Sequence, residues 1–173
     1  NGKDAEETMQ LALDALHLDP DFTFIHLDLV DAAGHKHGWG SRKYIEAVEA
    51  TDKLIGRLIK HLQELGSYEQ TIIMLSSDHG GDRSHNKDNY QTRSIPFVIS
   101  GPNVIANQEL RLQSRIWDIA PTLAQVWQLD RPASWIGSPV WEAFEDTQDE
   151  IKLHYKPRLK VLEQEQYEWV YAD

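Results

Sequence analysis

Residues 22–31, FTFIHLDLVD, form a mostly apolar run that ends in a carboxylate. Apolar and β-favouring side chains at most positions of a short segment are typical of a strand in a covered sheet. The pattern predicts a strand over residues 22–30, with Asp31 at its C-terminal end. Glycines at positions 34, 38 and 40 then predict a loop.

Further strands and helices are predicted on either side of this run. Strands are expected at residues 71–77 and 95–100, where short apolar runs are followed by turn residues. Apolar spacing of three or four residues predicts helices over 5–16 and 44–62, the second with Gly66 as its C-cap, and a helix capped by Asp118 ends near residue 128. Strands and helices in alternation predict an α/β fold with a mostly parallel sheet flanked by helices.

The composition limits the classes of protein to which the chain can belong. A chain of 173 residues with 40% hydrophobic residues is long enough for one globular domain. Its 28 acidic and 17 basic residues give a net charge of −11, which disfavours nucleic acid as a bulk partner. The absence of cysteine excludes disulfides and thiolate zinc sites.

The ends of the chain lead to two expectations. No apolar run reaches the roughly 20 residues that cross a bilayer, so no membrane span is expected in this segment. The chain begins at Asn1 without Met, and a helical pattern follows almost at once. We therefore expect a chain cut at a domain boundary or by a protease.

Two carboxylate and histidine pairs are the main candidates for chemistry. Asp31 is followed by His35, and Asp78 by His79, each at the end of a predicted strand. The carboxyl ends of neighbouring parallel strands meet at one crevice, so the four side chains are expected to converge. His85 follows Gly80 and Gly81 closely enough to fold back as a fifth ligand.

The donor set indicates which metals fit. Imidazole nitrogen with carboxylate oxygen and no thiolate suits zinc, manganese or iron better than calcium. Zinc is favoured, and manganese is the alternative. Structural ion pairs at a sheet edge are the competing interpretation of the same residues.

Several motifs resemble one family. They are VDAAGHKHGWGS at 30–41, SSDHGGDRSH at 76–85, IPFVISGP at 95–102, IWDIAPTLA at 116–124 and WIGSPV at 135–140. Together they resemble the type I phosphodiesterase and nucleotide pyrophosphatase branch of the alkaline phosphatase superfamily. The resemblance implies that residues 1–173 are the C-terminal portion of one alkaline phosphatase-like catalytic domain, with a core at about 20–145 and a charged tail at 146–173.

The resemblance also implies roles for individual residues. Asp31 and His35 would bind one divalent metal with His85, for which His154 in the tail is the rival, and Asp78 and His79 would bind a second. The family completes the second site with an aspartate and a Thr or Ser nucleophile from the N-terminal half of the fold. No residue here matches that nucleophile, so the fragment alone is expected to be inactive.

Two residues near His35 are candidates for substrate binding. Trp39 offers an indole on which a nucleobase or aryl group can stack, although anchoring of the loop explains it equally well. His37 is placed to line the entrance of the site, but a solvated loop histidine is the simpler interpretation.

The predicted function is metal-dependent hydrolysis of phosphodiesters, pyrophosphates or phosphomonoesters. The alternatives are a sulfatase or phosphomutase relative, which shares the Asp-His pair, and a non-catalytic metal-binding or interaction domain. The expected partners are a small-molecule phosphoester and the N-terminal part of the same polypeptide. The resemblance favours a periplasmic or secreted location.

Overall fold

The structure is a computed structural model that describes residues 4–82, 89–111, 113–145 and 147. The chain divides into two compact units, residues 1–101 and residues 102–173. Each unit is described by itself, and the assignment of the whole chain to one catalytic domain stays a prediction.

The first unit contains four helices and two strands among its described residues. They are helix α1 (Ala5–Leu16), helix α2 (Leu29–His37), helix α3 (Arg42–Leu65), strand β1 (Ile73–Ser76), helix α4 (Tyr90–Arg93) and strand β2 (Phe97–Ser100). The predictions for α1, α3, β1 and β2 are confirmed to within a few residues. None of the helices in the described ranges is long and apolar enough to cross a membrane.

The core of this unit lies between α1 and α3. Met9 and Leu13 of α1 pack with Leu54 of α3, and Ile25 and Leu27 pack against the same cluster. The spacing of these positions matches the helical period, so each helix turns one apolar face inward. This core fixes residues 22–28 against the two helices, directly before α2.

Truncation of Leu54 should test this core. Leu54 is only 3% exposed, and replacing such a leucine by alanine costs about 2–5 kcal/mol because a cavity remains. We expect Leu54→Ala to lower the free energy of unfolding by that amount in urea denaturation. The control is Leu11→Ala, because Leu11 is 46% exposed on α1. Equal losses in the two variants would contradict this assignment of the core.

Helix α3 has a well-defined start and end. The hydroxyl of Ser41 accepts a hydrogen bond from the amide of Tyr44, which satisfies an otherwise unpaired donor of the first turn. Gly66 ends the helix with φ of 73°, the left-handed conformation that glycine adopts at little cost. The C-cap predicted at Gly66 is confirmed.

The strand predicted over residues 22–30 is wrong. Residues 22–28 have no regular secondary structure, and α2 begins at Leu29. The segment still alternates like a strand, because Phe24 and His26 are exposed while Ile25 and Leu27 face the core. No strand in the described part of the chain pairs with it. Asp31 therefore lies in the first turn of a helix, and most of the predicted glycine loop is helical.

The predicted parallel sheet is not seen within the described residues. Strands β1 and β2 pair antiparallel, with Met74 opposite Ile99 and Leu75 opposite Val98. A parallel pair needs a long crossover, usually through a helix that packs on the sheet. Between β1 and β2 the described residues contain only the four-residue helix α4. The fold is thus a mixture of helices and a small sheet.

The second unit contains helix α5 (Ile119–Val126) and short 3₁₀ turns at Ile116–Asp118 and Trp141–Ala143. Asp118 precedes α5, as predicted, but its carboxylate does not cap that helix. It accepts hydrogen bonds at 2.9 Å from the amides of Arg115 and Ser138. The buried carboxylate therefore ties two loops together.

Candidate metal centre

Helix α2 places Asp31 and His35 one turn apart on the same face. Residues separated by four positions in a helix are neighbours on its surface. Nε2 of His35 lies 3.5 Å from Oδ1 of Asp31, and both side chains are 47% exposed. The pair is thus built by local helical geometry and remains accessible from solvent.

The second pair lies in the turn that follows β1. The amide of His79 donates to Oδ1 of Asp78 at 3.0 Å. Nδ1 of His79 lies 2.7 Å from the carbonyl oxygen of Gly80. A carbonyl oxygen only accepts, so Nδ1 carries the proton and Nε2 is the nitrogen suited to metal binding. Nε2 lies 3.7 Å from Oδ2 of Asp78.

The two pairs meet at Asp31. Nε2 of His79 lies 3.8 Å from Oδ1 of Asp31, across a gap of more than forty residues in sequence. The structure therefore places both histidines near one carboxylate oxygen of Asp31, whereas Asp78 lies beside His79. The two pairs converge from the first turn of a helix and the turn after a strand, rather than from two parallel strand ends.

The surroundings of Asp31 Oδ1 bear on metal binding. This oxygen is buried and has no hydrogen-bond partner among the residues that the structure describes. A buried acceptor without a partner is costly, and a cation is the partner that a carboxylate oxygen between two imidazoles suits best. No group of three or more His, Asp or Glu side chains is arranged to hold a metal ion among the described residues. The donor chemistry fits a divalent metal, whereas the described part forms no complete site.

The remaining predicted ligands lie elsewhere. His85 and its rival His154 both fall outside the described residues. The complete ligand set and the choice of zinc over manganese therefore stay predictions.

Gly80 explains how the turn that carries His79 is held. Its amide donates to the carbonyl oxygen of Thr92 at 2.9 Å. A Cβ atom at Gly80 would lie 2.1 Å from the carbonyl oxygen of Gln91 and 2.3 Å from that of Ser94. Only glycine lets the turn approach α4 this closely. The sequence motif itself does not reveal that α4 is the neighbour of this turn.

The two predicted substrate-binding residues differ in their surroundings. His37 is exposed at the end of α2. It is among the groups that lower the pKa of Glu46 on α3, after the larger effect of the hydrogen bond from Lys43. The indole of Trp39 instead lies at the candidate site, edge-on to His35 with ring centroids 5.2 Å apart. Substrate binding by either residue stays a prediction.

The chain matches one protein family and several known proteins. Residues 2–96 match the family described as type I phosphodiesterase / nucleotide pyrophosphatase. A 2,3-bisphosphoglycerate-independent phosphoglycerate mutase of Halobacterium salinarum is 32% identical over 72% of this chain and 24% of its own length. Arylsulfatase K of Bos taurus is 26% identical over 64% of this chain and 22% of its own. Ectonucleotide pyrophosphatase/phosphodiesterase family member 1 of Mus musculus is 38% identical over 37% of this chain and 7% of its own.

These matches define a class: the alkaline phosphatase superfamily, which comprises metal-dependent phosphoryl-transferring enzymes and their sulfatase relatives. Within it, the chain belongs to the type I phosphodiesterase / nucleotide pyrophosphatase family. The resemblance inferred from the motifs is thereby confirmed. The chain spans a quarter or less of the length of the three relatives described above.

Proposed function

We propose that the protein contributes the metal-binding half of a phosphoester hydrolase that acts on phosphodiesters, pyrophosphates or phosphomonoesters. The observation that carries the proposal is the position of Asp31 Oδ1, which lies 3.5 Å from Nε2 of His35 and 3.8 Å from Nε2 of His79. Membership of the family supports the same chemistry.

The proposed ligands fall into two groups. Asp31 and His35, with His85, hold one divalent ion, and Asp78 and His79 hold the other. Divalent ions held by these residues would neutralise charge on phosphoryl oxygens and would lower the pKa of an attacking hydroxyl or water. Zinc is the preferred ion and manganese the second choice.

The chain's own groups orient this chemistry. The Gly80 carbonyl oxygen accepts a hydrogen bond from Nδ1 of His79, which holds the ring with Nε2 directed at Asp31. The helix keeps His35 beside the same carboxylate. The nucleophile in this proposal is a Thr or Ser hydroxyl outside residues 1–173, and the substrate is a small phosphoester.

A phosphomutase is the second candidate. It is favoured by the similarity to a phosphoglycerate mutase, which extends over 72% of the chain, whereas the family match covers residues 2–96. Both activities use the same Asp-His ligands in this proposal. They differ in whether the phosphoryl group passes to water or returns to the substrate.

Metal content tests the proposal first. We expect the chain, purified at neutral pH without chelator, to retain zinc or manganese in elemental analysis and to rebind it after dialysis against EDTA. Acid should release the metal, because protonated imidazole cannot bind it. A chain that neither retains nor rebinds either metal would count against the proposal.

Activity then separates the candidates. The complete polypeptide, loaded with zinc or manganese, should hydrolyse bis(4-nitrophenyl) phosphate or 4-nitrophenyl phosphate. Interconversion of 2- and 3-phosphoglycerate without release of phosphate would favour the mutase. Metal binding without any of these activities would favour the alternative of a non-catalytic metal-binding or interaction domain.

A further inference from the structure

We infer that Trp39 is a positioning residue whose indole sets the separation between the Asp31/His35 pair and the Asp78/His79 pair. The inference deepens the proposed function and rests on it, because it concerns the same four side chains. It assigns Trp39 a role other than stacking on substrate.

The first observation is that one edge of the indole meets both segments that carry the pairs. A Cβ atom at Gly34 of α2 would lie 2.6 Å from Cε2 of Trp39. A Cβ atom at Gly81, in the turn after His79, would lie 1.9 Å from Nε1 of the same ring. Both distances are far below ordinary van der Waals contact, so each glycine admits the indole only because it lacks a side chain.

The second observation explains why Trp39 reaches this position. Gly38 and Gly40, on either side of it, have φ of 88° and 75°. The left-handed backbone is accessible to glycine without strain. The amide of Gly38 also donates to the carbonyl oxygen of Gly34 at 2.8 Å, which closes the end of α2. The chain therefore turns sharply, and the indole folds back over the helix that carries Asp31 and His35.

The third observation links this packing to the ligands. The indole is edge-on to His35, with ring centroids 5.2 Å apart, and Gly81 is two residues from His79. A rigid aromatic ring packed between the two segments limits how closely they approach each other. Since metal ligands must hold a fixed spacing, a change in this ring should change metal binding without removal of any ligand.

The main experiment uses a steric swap in the full chain. Gly81→Ala should lower the affinity for Zn²⁺ by about 10–100-fold, the usual effect of disturbing groups around metal ligands. Adding Trp39→Leu to Gly81→Ala should restore most of that affinity, because the smaller side chain leaves room for the methyl group. Gly56→Ala on α3 is the matched control, since a Cβ atom there has no neighbour within 4 Å among the described residues.

A spectroscopic readout separates positioning from a general loss of stability. With Co²⁺ in place of Zn²⁺, the visible absorption bands should change in Trp39→Leu and Gly81→Ala and should keep their wild-type form in Gly56→Ala. If Gly81→Ala does not fold, the single variant Trp39→Leu still tests the inference. Wild-type Zn²⁺ affinity and Co²⁺ bands in Trp39→Leu would overturn the inference.

Measurements on the metal-free protein distinguish failure of the positioning role from failure of the proposed function. In EDTA, the imidazole resonances of His79 should shift in Gly81→Ala and return toward wild type in the double variant. If that pattern appears but the wild type binds no Zn²⁺ or Co²⁺, the positioning role stands and the proposed function fails. If the wild type binds metal and the His79 resonances do not respond to either substitution, the positioning role fails alone.

Discussion

Asp31→Ala should lower the affinity of the chain for zinc or manganese on the order of 100-fold or more. Loss of a group around the ligands already costs about 10–100-fold, and Asp31 is the residue on which both histidines converge. The same substitution should change the stability of the metal-free protein by no more than about 1 kcal/mol. It removes a buried oxygen that has no hydrogen-bond partner in the described part of the chain, and it also removes a modest favourable interaction with the N-terminus of α2.

Titration calorimetry and urea denaturation, with and without metal, measure the two effects. At a metal concentration of 100 times the dissociation constant, binding stabilises the wild type by about 2.7 kcal/mol. Asp31→Ala should lose most of that gain.

Asp28→Ala is the matched control for Asp31→Ala. It removes the same charge directly before α2, and the Asp28 side chain makes no capping hydrogen bond. Its metal affinity should stay at the wild-type value. A large loss of stability in metal-free Asp31→Ala would show that the carboxylate is structural, which is the ion-pair alternative.

The helices were predictable because their signals are local. In α3, the apolar period, the Ser41 cap and Gly66 all lie within the element itself. The conformation of segment 22–28 was not predictable. The alternation of its buried and exposed residues shows that one side packs against the protein, but it does not show whether a partner strand is present. Pairing is a property of distant residues, so the sequence pattern alone could not separate a strand from an extended segment packed on helices.

The elements that carry Asp31 and His79 differ from the predicted ones, and the role of these residues as metal ligands stays a prediction. Asp31 and His79 lie together although the expected parallel strands are not seen in the described ranges. The helical spacing of Asp31 and His35 produces the same pairing that a strand end and loop were expected to produce. Trp39 was harder to interpret, because its contacts with Gly34 and Gly81 depend on packing between segments that no local pattern encodes.

Asp118→Ala should be the most destabilising single substitution in the second unit, at about 3 kcal/mol or more. Asp118 is fully buried, and its two oxygens accept separate backbone hydrogen bonds from Arg115 and Ser138. Hydrogen bonds to a charged group contribute about 1.5–3 kcal/mol each, and the donors left behind lose their partner in a site that excludes water. The loss should appear in urea denaturation.

Graded substitution and local exchange make this prediction specific. Asp118→Asn keeps one accepting oxygen and should lose about half as much stability, whereas Asp130→Ala, at an exposed position, should change it by no more than about 0.5 kcal/mol. The hydroxyl of Thr122 accepts a hydrogen bond from the amide of Val140 and donates one to the carbonyl oxygen of Asp118. Hydrogen exchange at the Ser138 and Val140 amides should therefore accelerate together in Asp118→Ala. Acceleration at Ser138 alone would mean that Asp118 holds one loop and that Thr122 holds the other independently.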